Sequence, residues 1–558
     1  SPQPSSRVRV ISLDHRHRAF ITAHSMASDT PRGIDRVQAV TTLAQRWLAI
    51  VGLSLLAGCG DTESTQPGPV VLLGVDGGSW NAIRDLWDRD QLPHLKALAE
   101  RGVSAQLQPV ANASPVIWTS IATGVRPSRH GIQGFTVRTD SGEVPVSSAD
   151  RRVPALWNMA TSEGLRVALL GWWASWPAEA VNGVVLSDRI FREEEGRFHP
   201  PDFDPGLDKY AAREGEDPSA LGGVVGRQDA VMASVGLELA KQEFDLILLY
   251  LRNVDAQSHH YWKYFRPQGF EDEVDAASLE LLGSRVPDAY DSVDQTLGEL
   301  VARAPTSTNF FVLSDHGFQA AKGERYRIQL HLDRILEHLG FLVRDGEKID
   351  PDQSVARTWS SPPFTRTKLI RFQPFDRQGS EEGPGDPDST RRQLEADLEK
   401  ITYQDGSPVF RFRDLEAKER SRGGDMVVIV RYQGVSSEVL FDGQPIPGAI
   451  GQIEEISGTH SKSTEGIFIA AGPDIDSSAE LVEIHSLDIT PTLLFALGLP
   501  VAEDFDGRAR TEIFQPRFRE QHPLRAIPTW GVLEARDSPD SQSDEELLEE
   551  LRALGYLN

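Results

Sequence analysis

The stretch Val70-Val71-Leu72-Leu73-Gly74-Val75-Asp76-Gly77-Gly78 (VVLLGVDGG, residues 70–78) decides the class of fold. An apolar run without polar alternation describes a strand buried on both faces, as in a parallel sheet covered by helices. It stops at an aspartate followed by two glycines, so the strand opens at its carboxyl end into a tight loop that carries a carboxylate. Ligand groups in open α/β sheets gather at such ends. Outward from it, residues 167–171 (VALLG), 246–251 (LILLYL), 310–313 (FFVL) and 466–471 (GIFIAA) repeat the pattern. Helical patterns lie between them. Residues 93–101 begin with Pro93 and stop at Gly102, and 288–303 carry apolar residues at helical spacing. The alternation predicts an α/β fold with a largely parallel central sheet flanked by helices.

The chain has 558 residues, 39% hydrophobic and 25% charged, enough apolar material for a large globular unit and too much for a disordered chain. Its 57 basic and 83 acidic side chains give a net charge of −26, which repels nucleic-acid phosphates, so no nucleic-acid polymer is expected as a partner. The single cysteine, Cys59, excludes an internal disulfide framework and any multi-cysteine metal site. A metal, if bound, is held by His and carboxylates. There is no Walker loop, dinucleotide glycine fingerprint or internal repeat.

Residues 1–60 hold seven Arg and three Asp, a charge of +4 in an otherwise acidic chain. After Arg32, Arg36 and Arg46 comes an apolar stretch of eleven residues, 47–57 (WLAIVGLSLLA). A bilayer span needs about 20, so this length suits the core of a signal peptide. It runs into Leu56-Ala57-Gly58-Cys59, similar to a bacterial lipobox, in which the peptide is cut before the cysteine and the thiol is lipidated. A buried helix with a free thiol is the plainer alternative. The layout this predicts is a leader and lipoprotein signal peptide over 1–59, with 1–25 an overlong start before Met26, and a flexible tether over 60–69. The main domain spans 70–530, with insertions near 190–225 and 340–450, the latter an inserted cap subdomain. An acidic amphipathic helix over 540–558 has Leu547, Leu548, Leu551 and Leu554 at helical spacing.

Five separated segments place metal-type ligands or a nucleophile at expected strand ends: Asp76, Ser114, Asp255 with His259, Asp315 with His316, and His460. Six of these seven are three Asp and three His, the set that two zinc-like ions need. An Asp and a His four apart share one helix face and can reach one cation. Singly each has an ordinary reading: a turn residue, a polar strand end, a solvated helical pair, or, for Ser114 before Pro115, a helix cap.

In order and together, these segments resemble the alkaline phosphatase superfamily, particularly its nucleotide pyrophosphatase and phosphodiesterase branch. The resemblance runs from about 70 to 500. It includes Leu92-Pro93-His94-Leu95 to Gly102, Thr123-Gly124 through His130-Gly131-Ile132, and Leu249-Tyr250 to His259. Further on it includes Ser314-Asp315-His316-Gly317, the segment 466–473, and Asp488-Ile489-Thr490-Pro491-Thr492.

The resemblance implies a metal-dependent phosphoester hydrolase acting on a small phosphoester, with two divalent ions, usually zinc, manganese or iron being alternatives. Asp255, His259 and His460 would hold one ion; Asp76, Asp315, His316 and the oxygen of Ser114 would hold the other. His260 is a competing ligand. Ser114 would attack phosphorus and form a phosphoserine, with amide groups at the start of its helix facing the phosphoryl oxygens. Counting back from Thr123-Gly124 selects Ser114, whereas alignment on Pro115 alone selects Ala113, which cannot attack.

Two departures bear on specificity. The diesterase branch usually has Thr as nucleophile and an Asn shortly after the His-Gly-Ile triplet; this chain has Ser114, and Gln133-Gly134-Phe135 follows Ile132. A phosphomonoesterase or phosphonate hydrolase of the same superfamily is therefore the alternative, and a catalytically silent envelope binding lipoprotein is the non-enzymatic one. Tyr250 stands where alkaline phosphatases carry a carboxylate for a third, magnesium site. Trp172, Trp173 and Trp176, with Tyr261, Trp262, Tyr264 and Phe265, are candidates for stacking on a leaving group or for core packing. With the lipobox, the expected setting is the bacterial envelope, membrane-bound through Cys59.

Overall fold

The computed structural model describes residues 66–553 except 140–141, 193, 211–222, 271–272, 322–325, 347, 360–366, 373–386, 417–418, 421–422, 432–437, 456, 461–463, 535, 537–540 and 542. Cys59, the apolar stretch before it and residues 60–65 lie outside the described residues, as do 554–558.

The strands used below are β1 (Val70–Val75), β2 (Val103–Gln108), β3 (Val167–Leu170), β4 (Gly183–Leu186), β5 (Phe198–His199), β6 (Leu246–Leu251), β7 (Asn309–Leu313), β8 (Tyr326–Leu330), β9 (Ala356–Trp359), β10 (Thr367–Phe372), β11 (Phe410–Phe412), β12 (Met426–Val430), β13 (Ile450–Glu455), β14 (Gly466–Ala471) and β15 (Glu483–His485). The helices are α1 (Pro93–Glu100), α2 (Ser114–Thr123), α3 (Gly223–Leu239), α4 (Asn253–Phe265), α5 (Arg285–Arg303), α6 (Ile489–Ala496) and α7 (Asp544–Ala553).

A nine-stranded sheet runs in the order β15-β2-β14-β7-β1-β6-β3-β4-β5. Its centre, β7-β1-β6-β3-β4, is parallel throughout. β14 runs antiparallel to both β7 and β2, β15 pairs parallel with β2, and β5 closes the other side antiparallel to β4. The polarity of β1 explains its sequence. Val70 and Leu72 enter the core on one face while Val71, Leu73 and Val75 enter the core on the other, so no position of the run can be polar.

All strands expected from apolar runs are present, the longest shift being one residue. β2 was not among them, because it alternates: Val103, Ala105 and Leu107 are buried whereas Ser104 and Gln106 are exposed. Its place in the sheet nevertheless decides where Ser114 goes. β2 is antiparallel to β14, which is antiparallel to β7, so β2 points the same way as the parallel centre. The carboxyl ends of β1, β2, β6 and β7 and the amino end of β14 therefore share one edge.

The long insertion leaves the sheet through β8 and returns through β13, which pair antiparallel from Tyr326 opposite Glu455 to Leu330 opposite Ile450. Beyond this stem, β9-β10-β12-β11 form an antiparallel sheet. A separate hydrophobic core spans Leu330 to Ile450, including Ile370, Phe372, Met426 and Val428. Turn composition marks the insertion near 340–450; its stem starts earlier, because β8 is continuous with the insertion's own core. At the carboxyl end α7 buries Leu547 and Leu551 in the main core, and Asp544 pairs with the buried Arg189 at 3.0 Å. Among the described residues no helix is long and apolar enough to cross a membrane.

Candidate active site

The shared edge gathers all seven side chains singled out by sequence. Asp76 follows β1, Asp315 and His316 follow β7, and Asp255 and His259 lie on one face of α4 after β6. His460 precedes β14, and Ser114 is the first residue of α2. Asp76, Asp255 and Asp315 are completely buried. His316 Nε2 stands 3.5 Å from Asp76 Oδ1, 3.3 Å from Asp315 Oδ2 and 3.9 Å from Asp255 Oδ1. The Ser114 hydroxyl lies 3.3 Å from His316 Nε2 and 3.4 Å from Asp76 Oδ1. The His316 and His460 rings stack at 3.6 Å, and His259 packs edge-on to His460 at 5.3 Å.

Backbone detail seats these groups. Trp118 of α2 lies flat enough against β1 that a Cβ on Gly74 would come within 2.8 Å of its ring, so Gly74 lets the helix carrying Ser114 approach. Gly77 turns the chain after Asp76 at φ +70, and its N–H donates to Asp315 Oδ1 at 3.3 Å. Thr490 of α6 donates to Ile121 O of α2 at 2.6 Å, which gives the Asp488–Thr492 motif a holding role. Asp294 of α5 accepts the Leu95 N–H at 2.6 Å and so holds the start of α1, the Leu-Pro-His-Leu segment.

His130 is likewise structural. Ile132 N–H donates to its Nδ1 at 3.2 Å, so Nε2 carries the proton and faces Ser120 Oγ at 2.9 Å. Burial, reinforced by the Arg151 charge, pushes its pKa down to about 3.

The donor set fits divalent cations. Burial and the Asp76 and Asp255 charges hold the Asp315 carboxyl well above the usual carboxylate range, the signature of acids crowded together without enough compensating charge. Burial lowers His316, keeping the imidazole in the neutral form that ligates metal. His316 Nδ1 lies 3.2 Å from Gly317 O and His259 Nδ1 lies 3.2 Å from Gly458 O. A carbonyl only accepts, so both rings carry their proton on Nδ1 and turn Nε2 towards the carboxylates.

Two groups have ligand atoms all within 4.8 Å of one another: Asp76, Asp315 and His316, and Asp255, His316 and His460. His316 belongs to both by proximity. One imidazole nitrogen serves one ion, and His259 Nε2, 3.6 Å from Asp255 Oδ1, is the ligand available to complete the second group.

The contacts behind the candidate ligands were not legible in the sequence. Asp76 turns Oδ1 to Ser114, and its Oδ2 accepts from the Tyr250 hydroxyl and, at 3.2 Å, from Trp173 Nε1. Tyr250, in the position of the third-site carboxylate, thus orients the Asp76 carboxylate. Trp173 is held in turn by the loop after β3, where Asp188 accepts the Ala174 and Trp176 N–H groups at 2.9 and 3.0 Å. Trp172, Trp173 and Trp176 are all buried and offer no open stacking face. The expected amide cradle at α2 is also reduced. Pro115 has no N–H, and Val116 and Ile117 both donate to Ala113 O, leaving Ser114 N–H as the first-turn donor for an anion.

The model of the Type I phosphodiesterase / nucleotide pyrophosphatase family matches residues 70–435. The chain belongs to this family. The match covers β1, Ser114, α4, the Asp315-His316 pair and most of the insertion. As a member of the family the chain is a phosphoester hydrolase within the alkaline phosphatase superfamily; the family generally uses divalent metals, and this chain holds two groups of candidate ligands.

Among solved structures it is similar to human ectonucleotide pyrophosphatase / phosphodiesterase 5, with TM-score 0.45 and 14% identity over 80% of this chain and 100% of that one. An inactive murine form of that protein in complex with AMP gives the same values. Phosphonoacetate hydrolase from Sinorhizobium meliloti 1021 in complex with phosphonoformate has TM-score 0.41 and 16% identity, over 77% of this chain and 95% of that one. No curated protein sequence matches the chain.

Proposed function

We propose that the chain is a two-metal phosphodiesterase of nucleotide pyrophosphatase type that works through a phosphoserine on Ser114. The observation that carries this reading is the meeting of Ser114 Oγ with Asp76 Oδ1 and His316 Nε2 at 3.4 and 3.3 Å, beside two groups of possible ligands. Asp76, Asp315 and His316 would hold one ion and Asp255, His259 and His460 the other, zinc being the best match to this nitrogen and oxygen set. Bound there, divalent cations supply positive charge that lowers the pKa of the serine hydroxyl and offsets the charge of the phosphoryl oxygens.

The chain's own residues do the rest. Ser114 Oγ releases its proton to solvent and attacks phosphorus, the Ser114 N–H faces one phosphoryl oxygen, and the bond to the leaving oxygen, of an alcohol or a phosphate, breaks as the serine ester forms. Water then attacks the same phosphorus, its oxygen staying on the phosphoryl group, and Ser114 Oγ leaves and takes up the proton that the water gives up. Tyr250 and Trp173 fix the Asp76 carboxylate so that Oδ1 stays towards Ser114 throughout.

A monoesterase or phosphonate hydrolase is the second reading, favoured by serine as the nucleophile and by Gln133-Gly134-Phe135 after Ile132, where the diesterase branch has an Asn shortly after the triplet. Hydrolysis of bis-p-nitrophenyl phosphate and p-nitrophenyl phosphate by the same preparation, before and after chelation, separates the two. The diesterase reading expects chelator-sensitive turnover with the diester preferred; a strong monoester preference overturns it.

For location we propose a lipid anchor on Cys59 in the bacterial envelope. This rests on the lone cysteine ending the apolar stretch 47–57. Cys59→Ser is expected to move the protein from the membrane to the soluble fraction. A native protein already soluble overturns the anchor.

A further inference from the structure

The segment that carries α7 is fastened to the loop that carries Trp173, by residues outside the ligand set. That loop is built under strain. Ala174 has φ +53, a left-handed backbone that alanine seldom adopts, and such conformations persist only where the surroundings over-determine them. Asp188, which follows β4, supplies the constraint. Its carboxylate accepts the Ala174 N–H at 2.9 Å and the Trp176 N–H at 3.0 Å, and its own N–H donates to Ser175 Oγ at 3.0 Å. Trp173, one residue before the strained position, directs Nε1 to Asp76 Oδ2 at 3.2 Å.

The residue next to Asp188 ties it to α7. The Arg189 side chain is 2% exposed, and its guanidinium lies over the Trp176 ring, 4.0 Å from the centroid. Asp544 of α7 meets it at 3.0 Å, while Glu194 stands at 3.8 Å. Burial pushes the Asp188 carboxyl up, and the Arg189 charge is the largest influence holding it down. A buried guanidinium needs a carboxylate beside it. Without Asp544 it is left with Glu194 and with Asp188 itself, whose oxygens the Ala174 and Trp176 amides use.

A second fastening lies on the other side of the loop. Arg536 donates to Ser148 O at 3.1 Å and to Glu179 at 3.2 Å, and the Ser148 N–H donates to Trp176 O at 2.7 Å. α7 itself is seated by Leu547 and Leu551 in the main core.

We propose that Asp544 and Arg189 are positioning residues for the metal site. Asp544 holds the guanidinium over Trp176 and so leaves the Asp188 carboxylate to the strained loop. The loop then presents Trp173 Nε1 to Asp76 Oδ2, and Asp76 Oδ1 stays towards Ser114. The inference rests on the reading of Asp76 as a metal ligand and is independent of Ser114 as the nucleophile.

Asp544→Asn in the full chain tests it, the readout being the metal affinity of the folded protein from competition with a chromogenic chelator. Affinity is expected to fall about 3- to 30-fold, the range over which contacts at such a remove modulate a site, with turnover recovering as metal is raised. Hydrogen exchange of the peptide over 172–177 should speed up in the same variant, because the Ala174 and Trp176 amides share their acceptor with the guanidinium. Asp544→Glu restores the carboxylate and should restore most of the affinity. Glu546→Gln breaks the exposed pair of the same helix with Arg192, 2.9 Å apart, and should change neither quantity. Should Asp544→Asn fail to fold, Arg189→Gln is read in the same way. Native metal affinity in Asp544→Asn, whatever its stability, overturns the proposal, as does an equal loss in Glu546→Gln. A native chain that takes up no metal would instead overturn the reading of Asp76 on which this one rests.

Discussion

The edge of the central sheet and the cavity that Lys368 lines in the insertion both bury charge, with opposite sign and by different construction. At the edge, three carboxylates and the imidazoles beside them arrive from segments hundreds of residues apart, each carried by a strand end or by the helix that follows it. Parallel strands send their carboxyl ends in one direction, so topology makes the convergence and the acids crowd whether or not they repel. In the insertion, Lys368 is one polar residue on the apolar face of an antiparallel sheet, and its neighbours come from the loop and helix after the stem. Burial pushes Asp315 up and Lys368 down, each towards its neutral form. The crowding of acids at the edge suits divalent cations, whereas in the insertion the arginines beside Lys368 already meet Asp333 and Glu337.

Substitutions at the edge should have the largest effects. Ser114→Ala is expected to reduce diester turnover about ten-thousandfold or more, as removal of a nucleophile does, while metal content by elemental mass spectrometry stays at the native value. Retained activity in that variant would remove Ser114 from the mechanism.

Next in size is Tyr250→Phe, which deletes one of the two donors to Asp76 Oδ2. Metal affinity from competition with a chromogenic chelator should fall about 10- to 100-fold, with turnover recovering at high metal concentration. An unchanged affinity would reduce Tyr250 to core filling.

The third concerns stability. His130 has a folded pKa of about 3 against 6.5 when exposed, so its contribution is complete above 6.5 and is lost as the pH falls from there towards 3. Between pH 7 and pH 5 the native protein should lose about 2 kcal/mol in denaturant titrations that His130→Gln does not lose. Parallel curves for the two proteins would show that His130 is not buried in its neutral form.

The smallest effect belongs to the insertion. The Lys368 amine has a folded pKa of about 7 and an ordinary value of 10.5, so its burial costs stability at every pH below 10.5, fully so below 7. Lys368→Met should therefore raise unfolding stability by about 1 kcal/mol or more at pH 6, with the gain shrinking towards pH 10. A loss at pH 6 would mean that the neighbours of Lys368, Asp333 among them, more than offset the cost of its burial.

Most of the fold was legible because the central strands are buried on both faces and advertise themselves as apolar runs, as 70–75 and 246–251 do. β2 hid because one of its faces is exposed, and its alternating Ser104 and Gln106 read as surface. The site was legible as residue types after strand ends, since Asp76, Asp315 and His316 follow apolar runs directly. Its supporting contacts were not. A tyrosine in a buried strand and a tryptophan in a loop have no sequence mark that separates a hydrogen bond to Asp76 from plain packing. Periodicity likewise gave the insertion one strand, Met426–Val430, and no topology.

By itself the sequence determined the α/β class, the order of the strands along the chain and the chemistry available at their ends. These follow from local patterns of burial and from residue type. Only the tertiary structure decided that β2 points with the parallel strands, that His316 stands between the two groups of ligands, that Tyr250 and Trp173 hold Asp76, and that Lys368 meets Arg344 and Asp333 around one cavity. Such facts depend on which strands pair and on which distant side chains then come within a few ångströms. No local pattern encodes them, because the free energy that selects them belongs to contacts between segments far apart in the chain.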